Sequence, residues 1–416
     1  MVSPALTSDT VPCLDCQVCG KPLPTPVLDL GLQPMCDDLI EVGDARHCTA
    51  YPIQISLCPV CLTAHQAFNI RKEVLFPSKY HYRPRFTQDV LDGMKQLVTQ
   101  CEEEFGSVRG KLVCDIGCND GSLLNFFRDQ GAITCGIEPT GAALEARETG
   151  HHVENLYFDR ASARQLIAAK GQPDVITFTN VFAHIQDLDE TIEALKLLAK
   201  AGTVVVIENH YLGTVLATNQ FDTFYHEHPR TYSFKSFEQI ASRLGGKLLS
   251  TSFPKRYGGN IRVCIGGFGG TEASQLGRLE TVDESLFPAQ LAQSQAFIEK
   301  WQHETTKKIQ ELKSRGVTLH GKSFPGRAAI LVTLLKLDAD TMPVVYEKPG
   351  SLKIGHYLPG TRIEIQSDEH WINGESKPDA MLIWGWHIAP EIAGYMRKNG
   401  YTGRIFTPLP TFHELP

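Results

Sequence analysis

The sequence predicts an α/β protein in three parts: a small cysteine-rich N-terminal lobe, a central doubly wound sheet and a smaller C-terminal α/β unit. Three observations carry that prediction. Two Cys-x-x-Cys pairs, Cys16/Cys19 and Cys58/Cys61, stand near the start. Short apolar runs then alternate with helical stretches over 112–208, the pattern of a parallel sheet with crossover helices. The order of strand, glycine-bearing turn and helix returns after residue 317. With 416 residues the chain is too long for one core, and the expected divisions are 1–82, 83–284 and 285–416.

The pairs Cys16-Gln-Val-Cys19-Gly20 and Cys58-Pro-Val-Cys61 match a four-thiolate zinc site. Two residues between thiolates let one turn aim both at a tetrahedral ion. Cys13 competes with Cys19 as the partner of Cys16, but only Cys19 carries the trailing glycine. Buried free thiols or a redox pair are the alternative. A closed site of this kind has no open position for substrate, so its role is structural. The aromatic run 76–82, with Tyr80 and Tyr82, is either a lid or a packed linker, and a helix is expected over 86–105.

The central unit begins with the apolar run 111–116, ending in Asp115 and Ile116, which reads as a buried strand. Gly117 to Gly121 form a tight turn containing Asn119, and Ser122 is placed to cap a helix over 122–130. A strand over 133–137 ends in Glu138, about 20 residues past the turn, where a carboxylate takes ribose hydroxyls. The stretch therefore reads as a site for a nucleoside-bearing cofactor. A dinucleotide wants Gly-x-Gly-x-x-Gly, whereas here the spacing is Gly117-x-x-x-Gly121 with Asp115 and Asp120 beside it. Two carboxylates repel a pyrophosphate and suit the ammonium and sulfonium of S-adenosylmethionine. A dinucleotide and an unoccupied structural turn are the alternatives. A helix over 141–149, a strand over 174–178, a helix over 188–200 and a strand over 203–208 continue the sheet. Asn180 and His184 follow one strand end, and Glu208, Asn209 and His210 close another. Phe158 is read either as an adenine neighbour or as a core aromatic.

Beyond the sheet, Phe221-Asp-Thr-Phe-Tyr-His-Glu-His-Pro-Arg-Thr-Tyr232 gathers Tyr225, His226, Glu227 and His228 on one loop, which points to catalysis rather than a satisfied polar loop. Its spacing is not that of a helical His-Glu-x-x-His, so no catalytic metal is expected there. A hairpin over 253–268 is expected to end the sheet domain, a helix over 286–315 to serve as connector. The second unit has a strand and turn over 317–327, a helix over 328–337, and strands at 344–346 and 381–384.

Hydrophobic residues make up 42% and charged residues 21%, with a net charge of -7. That balance, without a basic run, argues against a nucleic-acid partner. No stretch of 18 apolar residues suggests a membrane span, and no signal peptide is read at the N-terminus. Twelve cysteines in such a chain read as thiols and metal ligands, and the cytoplasm is the expected location.

Together these motifs resemble the deoxysugar C-methyltransferases, which act on nucleotide-linked keto sugars. The likeness rests on the two cysteine pairs, Asp115-Ile-Gly-Cys-Asn-Asp-Gly121, Asn180-Val-Phe-Ala-His184, Phe221 to His228, Tyr357-Leu-Pro-Gly-Thr361 and the tail from Trp384 to Pro410. It implies a zinc-binding lobe, a central class I methyltransferase sheet using S-adenosylmethionine, and a C-terminal α/β Rossmann-like domain that helps hold the nucleotide sugar, in a monomer or small homo-oligomer. By that likeness His228 is the base, with Tyr225, Glu227 and His184 around the keto sugar and an aromatic near Tyr80 or Tyr82 leaning over the pocket. The chain departs from the pattern at three places: Tyr257-Gly-Gly-Asn260 before Arg262, Gly321-Lys-Ser-Phe-Pro-Gly-Arg327, and Leu62 after the second cysteine pair. The first two are expected on the substrate side, which makes Asn260, Arg262, Lys322 and Arg327 candidate substrate contacts. A nicotinamide-dependent nucleotide-sugar oxidoreductase or epimerase, and a non-catalytic zinc-containing interaction protein, are the competing readings.

Overall fold

The computed structural model describes residues 9–75, 83–270, 279–374 and 378–416. Tyr80 and Tyr82, with the rest of the 76–82 run, lie outside the described residues. The apolar run at the start of the central unit forms the strand Leu112–Ile116, buried on both faces, as a strand covered by helices on each side must be. Ile133–Ile137 and His152–Glu154 lie parallel to it on one side, Val175–Thr179 and Val204–His210 on the other. Asn260–Gly266 and Lys247–Ser252 add two antiparallel edge strands, giving seven among the described residues. The chain order therefore reverses between Leu112–Ile116 and Val175–Thr179, and ligands bind at the strand C-termini of such a switch point.

The C-terminal sheet repeats this plan. Leu319–Lys322 is central and parallel to Val344–Glu347 on one side and Ala380–Ile383 on the other. Glu364–Ser367 and Arg404–Thr407 extend it in parallel, and three antiparallel strands finish its edges. One of those edge strands, Ile40–Glu41, comes from the N-terminal lobe and pairs with His356–Tyr357. Arg362 ties the same strap down by donating to the carbonyls of Asp44, Ala45 and Arg46. A four-stranded N-terminal sheet in turn borrows Arg230–Thr231, which follows directly on the His226–His228 loop. The helix Phe287–Ser314 is more than a connector. Its Trp301 packs on Phe221 and donates to the Pro408 carbonyl at 2.7 Å, while Gln295 accepts from the Asp29 amide.

Three local expectations change. Ser122 is not the cap: Gly121 holds that position in the left-handed region (φ 79°), and Asp120 accepts from both the Ser122 amide and hydroxyl. The hairpin over 253–268 is displaced, since its strands are Lys247–Ser252 and Asn260–Gly266. The helix Arg160–Lys170 was not anticipated, although Asp159 and Ser162 form a reciprocal capping box that marks its start.

Candidate functional site

In the N-terminal lobe the sulfur atoms of Cys16, Cys19, Cys58 and Cys61 all lie within 4.8 Å of one another. Cys16 and Cys61 are 3.4 Å apart, Cys19 and Cys58 3.5 Å. A tetrahedral zinc with bonds of about 2.3 Å needs sulfurs about 3.8 Å apart, so the quartet fits. Cys13 stands outside it, its thiol on the Asp15 carbonyl. His65 contacts Cys16 at 3.2 Å and Thr63 contacts Cys61 at 3.0 Å, the kind of outer contact that fixes a metal ligand. The residues trailing the two pairs, Gly20 and Leu62, both adopt positive φ, 70° and 54°. A leucine there costs about 1–2 kcal/mol of backbone strain, and its burial returns a similar amount.

The strand ends of both sheets face one cavity of about 1000 Å³. On its central side lie Asp115, Gly117, Asn119, Glu138, Phe158 and Asn180. Gly117 has φ 71°, and a Cβ there would sit 2.6 Å from the Val181 methyls, so only glycine lets the turn close against that side chain. Asn119 is also left-handed (φ 49°), which turns its amide onto Glu138 Oε2 at 3.0 Å. Glu138 Oε1 accepts the Thr140 amide at 2.8 Å. The carboxylate is thus fixed above the turn by two amides and keeps further acceptor capacity for a ribose. Asp115 accepts the Thr177 hydroxyl at 2.6 Å, and burial pushes its carboxyl up to about 7. Phe158 serves both of its readings, lining the cavity while packing edge-on to Phe178. Gly121 does not line the cavity; it packs against His151 and Ala146 at the helix start. Asp120 is likewise turned away, toward Ser122 and Arg85.

Where the two sheets meet, His228, Tyr225, Glu227 and His184 come together. The ring of His228 is 4.2 Å from that of Tyr225 and 4.7 Å from that of His184. His228 Nδ1 is 3.0 Å from the Thr223 carbonyl. A carbonyl only accepts, so Nδ1 carries the hydrogen and Nε2 carries the lone pair. Burial, helped by the neighbouring His184 and His210, holds this imidazole well below its usual range and keeps it neutral. Burial also lowers His184 to about 4, and Glu227 Oε2 lies 3.7 Å from its Nδ1. His226 does not join them: its Nε2 meets the Tyr51 carbonyl at 3.2 Å, away from the cavity. His210 was passed over as a site residue, yet it lines the cavity with its ring 5.4 Å from His228. Its place at a parallel strand's C-terminal end was the available signal.

Asn260 and Arg262 are not cavity residues, contrary to expectation. Arg262 is the register partner of Glu208 across the antiparallel edge, and its Nε donates to Glu208 at 2.6 Å. Asn260 and Arg256 donate to the same carboxylate. Burial alone would raise the Glu208 carboxyl, but the two guanidiniums hold it below its usual range. This cluster faces the helix Gln88–Phe105, where Arg262 also donates to Gln100. Lys322 and Arg327 do line the cavity, and both are charge-paired: Lys322 with Asp368 at 2.9 Å, Arg327 with Asp222 at 2.8 Å. Glu347, Lys348 and Lys353 line it too and were not anticipated: the expected strand stopped at Tyr346, one residue before Glu347, and the two lysines lie in the turns that follow.

A doubly wound sheet carrying such a turn and strand-end acid defines a class I methyltransferase fold, and the profile described as "Methyltransferase domain" matches residues 86–251. The profiles "C-methyltransferase C-terminal domain" and "Putative zinc binding domain" match residues 256–410 and 16–76. Over 410 residues the chain is 26% identical to the C-methyltransferase NovU of Streptomyces niveus, covering 95% of each protein. It is 32% identical over 104 residues to a ubiquinone biosynthesis O-methyltransferase of Saccharophagus degradans, covering 24% of this chain and 44% of that enzyme. Magnesium protoporphyrin IX methyltransferase from Synechocystis, solved with S-adenosylhomocysteine, aligns at 17% identity and a TM-score of 0.34 over 43% of this chain and 83% of its own. The chain belongs to the C-methyltransferases that carry an N-terminal zinc-binding lobe. Its cofactors are S-adenosylmethionine and zinc, and the Glu138 turn and the cysteine quartet fit them. Among the described residues no helix is long and apolar enough to cross a membrane.

Proposed function

We propose that this enzyme deprotonates the carbon beside a ketone of a nucleotide-linked deoxysugar and methylates that carbon, with His228 as the base. The observation that carries the reading is the tautomer of His228, whose Nε2 lone pair belongs to a neutral, buried ring between Tyr225 and His184. S-Adenosylmethionine, when bound, supplies the electrophilic methyl group. Glu138, Asn119, Gly117, Asp115, Asn180 and Phe158 hold it on the central side. His228 Nε2 takes the proton from carbon. Tyr225 donates to the enolate oxygen, where charge develops, while His184, a neutral ring with a single N–H, packs beside His228 with Glu227 at its Nδ1. A second proton acceptor is not needed, because the attacking carbon ends the reaction neutral. Lys322 and Arg327 shape the side that receives the nucleotide. In this reading residues 1–82 form the structural zinc lobe, 83–284 the methyltransferase domain and 285–416 the nucleotide-sugar domain.

The experiment is to incubate the zinc-loaded protein with methyl-labelled cofactor and a panel of nucleotide-linked 3-keto and 4-keto deoxysugars. A product heavier by one methyl, with the label on carbon by NMR, is expected. Label found on oxygen, or no transfer to any keto sugar, would overturn the proposal.

A further inference from the structure

We infer that Arg230 is the internal counter-ion of the zinc–thiolate centre and, through the same guanidinium, the positioning residue that ties that centre to the segment carrying His184. Arg230 is wholly buried, at 0% exposure. A guanidinium keeps its proton, so a full positive charge sits inside the protein. Among the described residues no carboxylate pairs with it, and its donors go to four neutral oxygens. Nε donates to the Tyr232 hydroxyl at 2.9 Å, Nη1 to the Gln186 carbonyl at 3.1 Å and to Gln17 Oε1, and Nη2 to the Ile185 carbonyl. Other buried guanidiniums are matched by acids: Arg256 and Arg262 share Glu208, and Arg327 has Asp222. A buried charge that meets only neutral groups is costly unless an opposite charge lies close by.

The zinc site supplies that opposite charge. Four thiolates around one divalent zinc leave an excess of negative charge, and three of the four cysteines are buried. Gln17, which receives Arg230, stands between Cys16 and Cys19. Arg230 is also the register partner of His65, whose Nε2 lies 3.2 Å from the Cys16 sulfur. A second guanidinium, Arg243, donates to the Gln17 and Val18 carbonyls at 2.8 and 3.2 Å, but its charge is already matched by Asp189. The rest of the Arg230 fork reaches toward the rings of the cavity. Ile185 and Gln186 directly follow His184, and Arg230 itself stands two residues after His228. One planar group therefore holds the zinc turn and the His184 segment in a fixed relation, and a lysine ammonium lacks the fork to do the same.

The test follows zinc release from the full-length, zinc-loaded protein to a chromogenic pyridylazo chelator, with the imidazole NMR signals of His184 and His228 as a second readout. Arg230→Met should release zinc about tenfold to a hundredfold faster than the wild type, the scale for losing an outer partner of a metal site, and should move both imidazole signals. Arg230→Lys restores the charge without the fork. It should hold zinc nearly as well as the wild type while the His184 signal still moves, and it carries the test if the Met variant does not fold. Arg243→Met should speed release less than Arg230→Met. Wild-type release from Arg230→Met, equal release from the Lys and Met variants, or a larger effect from Arg243→Met overturns the counter-ion role. Imidazole signals unchanged in both Arg230 variants overturn the tie to His184. Neither readout uses a substrate, so failure of the keto-sugar reading is distinguishable from failure of this one.

Discussion

The central and C-terminal units are built on the same plan and charged in opposite senses. Each has a buried first strand, a tight turn, a helix and a second strand ending in an acid that accepts an amide of the turn. The central unit ends its first strand at Asp115-Ile116, a carboxyl facing the cavity. The C-terminal unit ends its first strand at Lys322, with Arg327, Lys348 and Lys353 close by. In the proposed reading, one plan thus makes a seat for a ligand carrying positive charge and a seat for a ligand carrying negative charge, and the fold does not decide which. The residue at the strand end does. Because both seats open on one cavity, what is held in them meets at the rings of His184, Tyr225 and His228.

The sharpest way to break that picture is at the meeting point. His228→Asn should retain affinity for both ligands and lose about 10²–10⁴-fold in turnover, the range for one general base. It should also lose solvent deuterium exchange at the carbon beside the ketone, measured without methyl transfer. Exchange at the wild-type rate would move the base elsewhere, and His226 is a poor substitute because it faces Tyr51. On the C-terminal side, Lys322→Met removes one partner of a pair whose exposures are 2% and 0%. It should cost about 3–5 kcal/mol of stability in denaturant titrations, the penalty for stranding a buried charge. A loss below about 1 kcal/mol would mean that the Trp371 indole, which also donates to Asp368, compensates the missing ammonium.

Smaller effects separate the two seats. Glu138→Ala should weaken S-adenosylmethionine by about 2 kcal/mol and leave nucleotide affinity as it was. If both affinities fell together, the acid would be supporting the whole cavity rather than one side of it. Raising salt should weaken nucleotide binding about threefold to tenfold, since Lys348 and Lys353 act as two partly exposed charges of about 0.2–1 kcal/mol each. Cofactor binding, proposed to rest on Glu138 and the turn it holds, should change less than that. Identical salt slopes for the two ligands would remove the charge contrast.

Much of the central unit was legible because its signals are local. The runs at 112–116 and 133–137 are continuous apolar stretches, and Glu138 follows from counting residues past a turn. The loop holding Tyr225, Glu227 and His228 was legible by its density of polar groups. What stayed hidden depends on partners far away in sequence. Arg262 and Asn260 look like substrate residues until the register sets Arg262 opposite Glu208 and Asn260 opposite His210, with Glu208 accepting from both. His226 and His228 sit two residues apart, and packing distinguishes them: His226 lies against Tyr51, His228 against Tyr225 and His184. Glu347 was lost to a strand boundary drawn one residue short.

The strap at Ile40–Glu41 bears on how the protein is made. Its partner strand His356–Tyr357 lies some 300 residues downstream, as the Gly43 amide on the Tyr357 hydroxyl, 314 residues apart, illustrates. During synthesis the lobe's strand therefore waits, edge open, until residues 356–357 have left the ribosome. Closing so long a loop costs about 5 kcal/mol in chain entropy if the intervening residues are unstructured, and much less once they have folded. The favourable order is a vectorial one, in which the central unit forms first and shortens the gap. The strap then pairs only once the C-terminal sheet has formed, and that sheet's strand ends supply one side of the cavity.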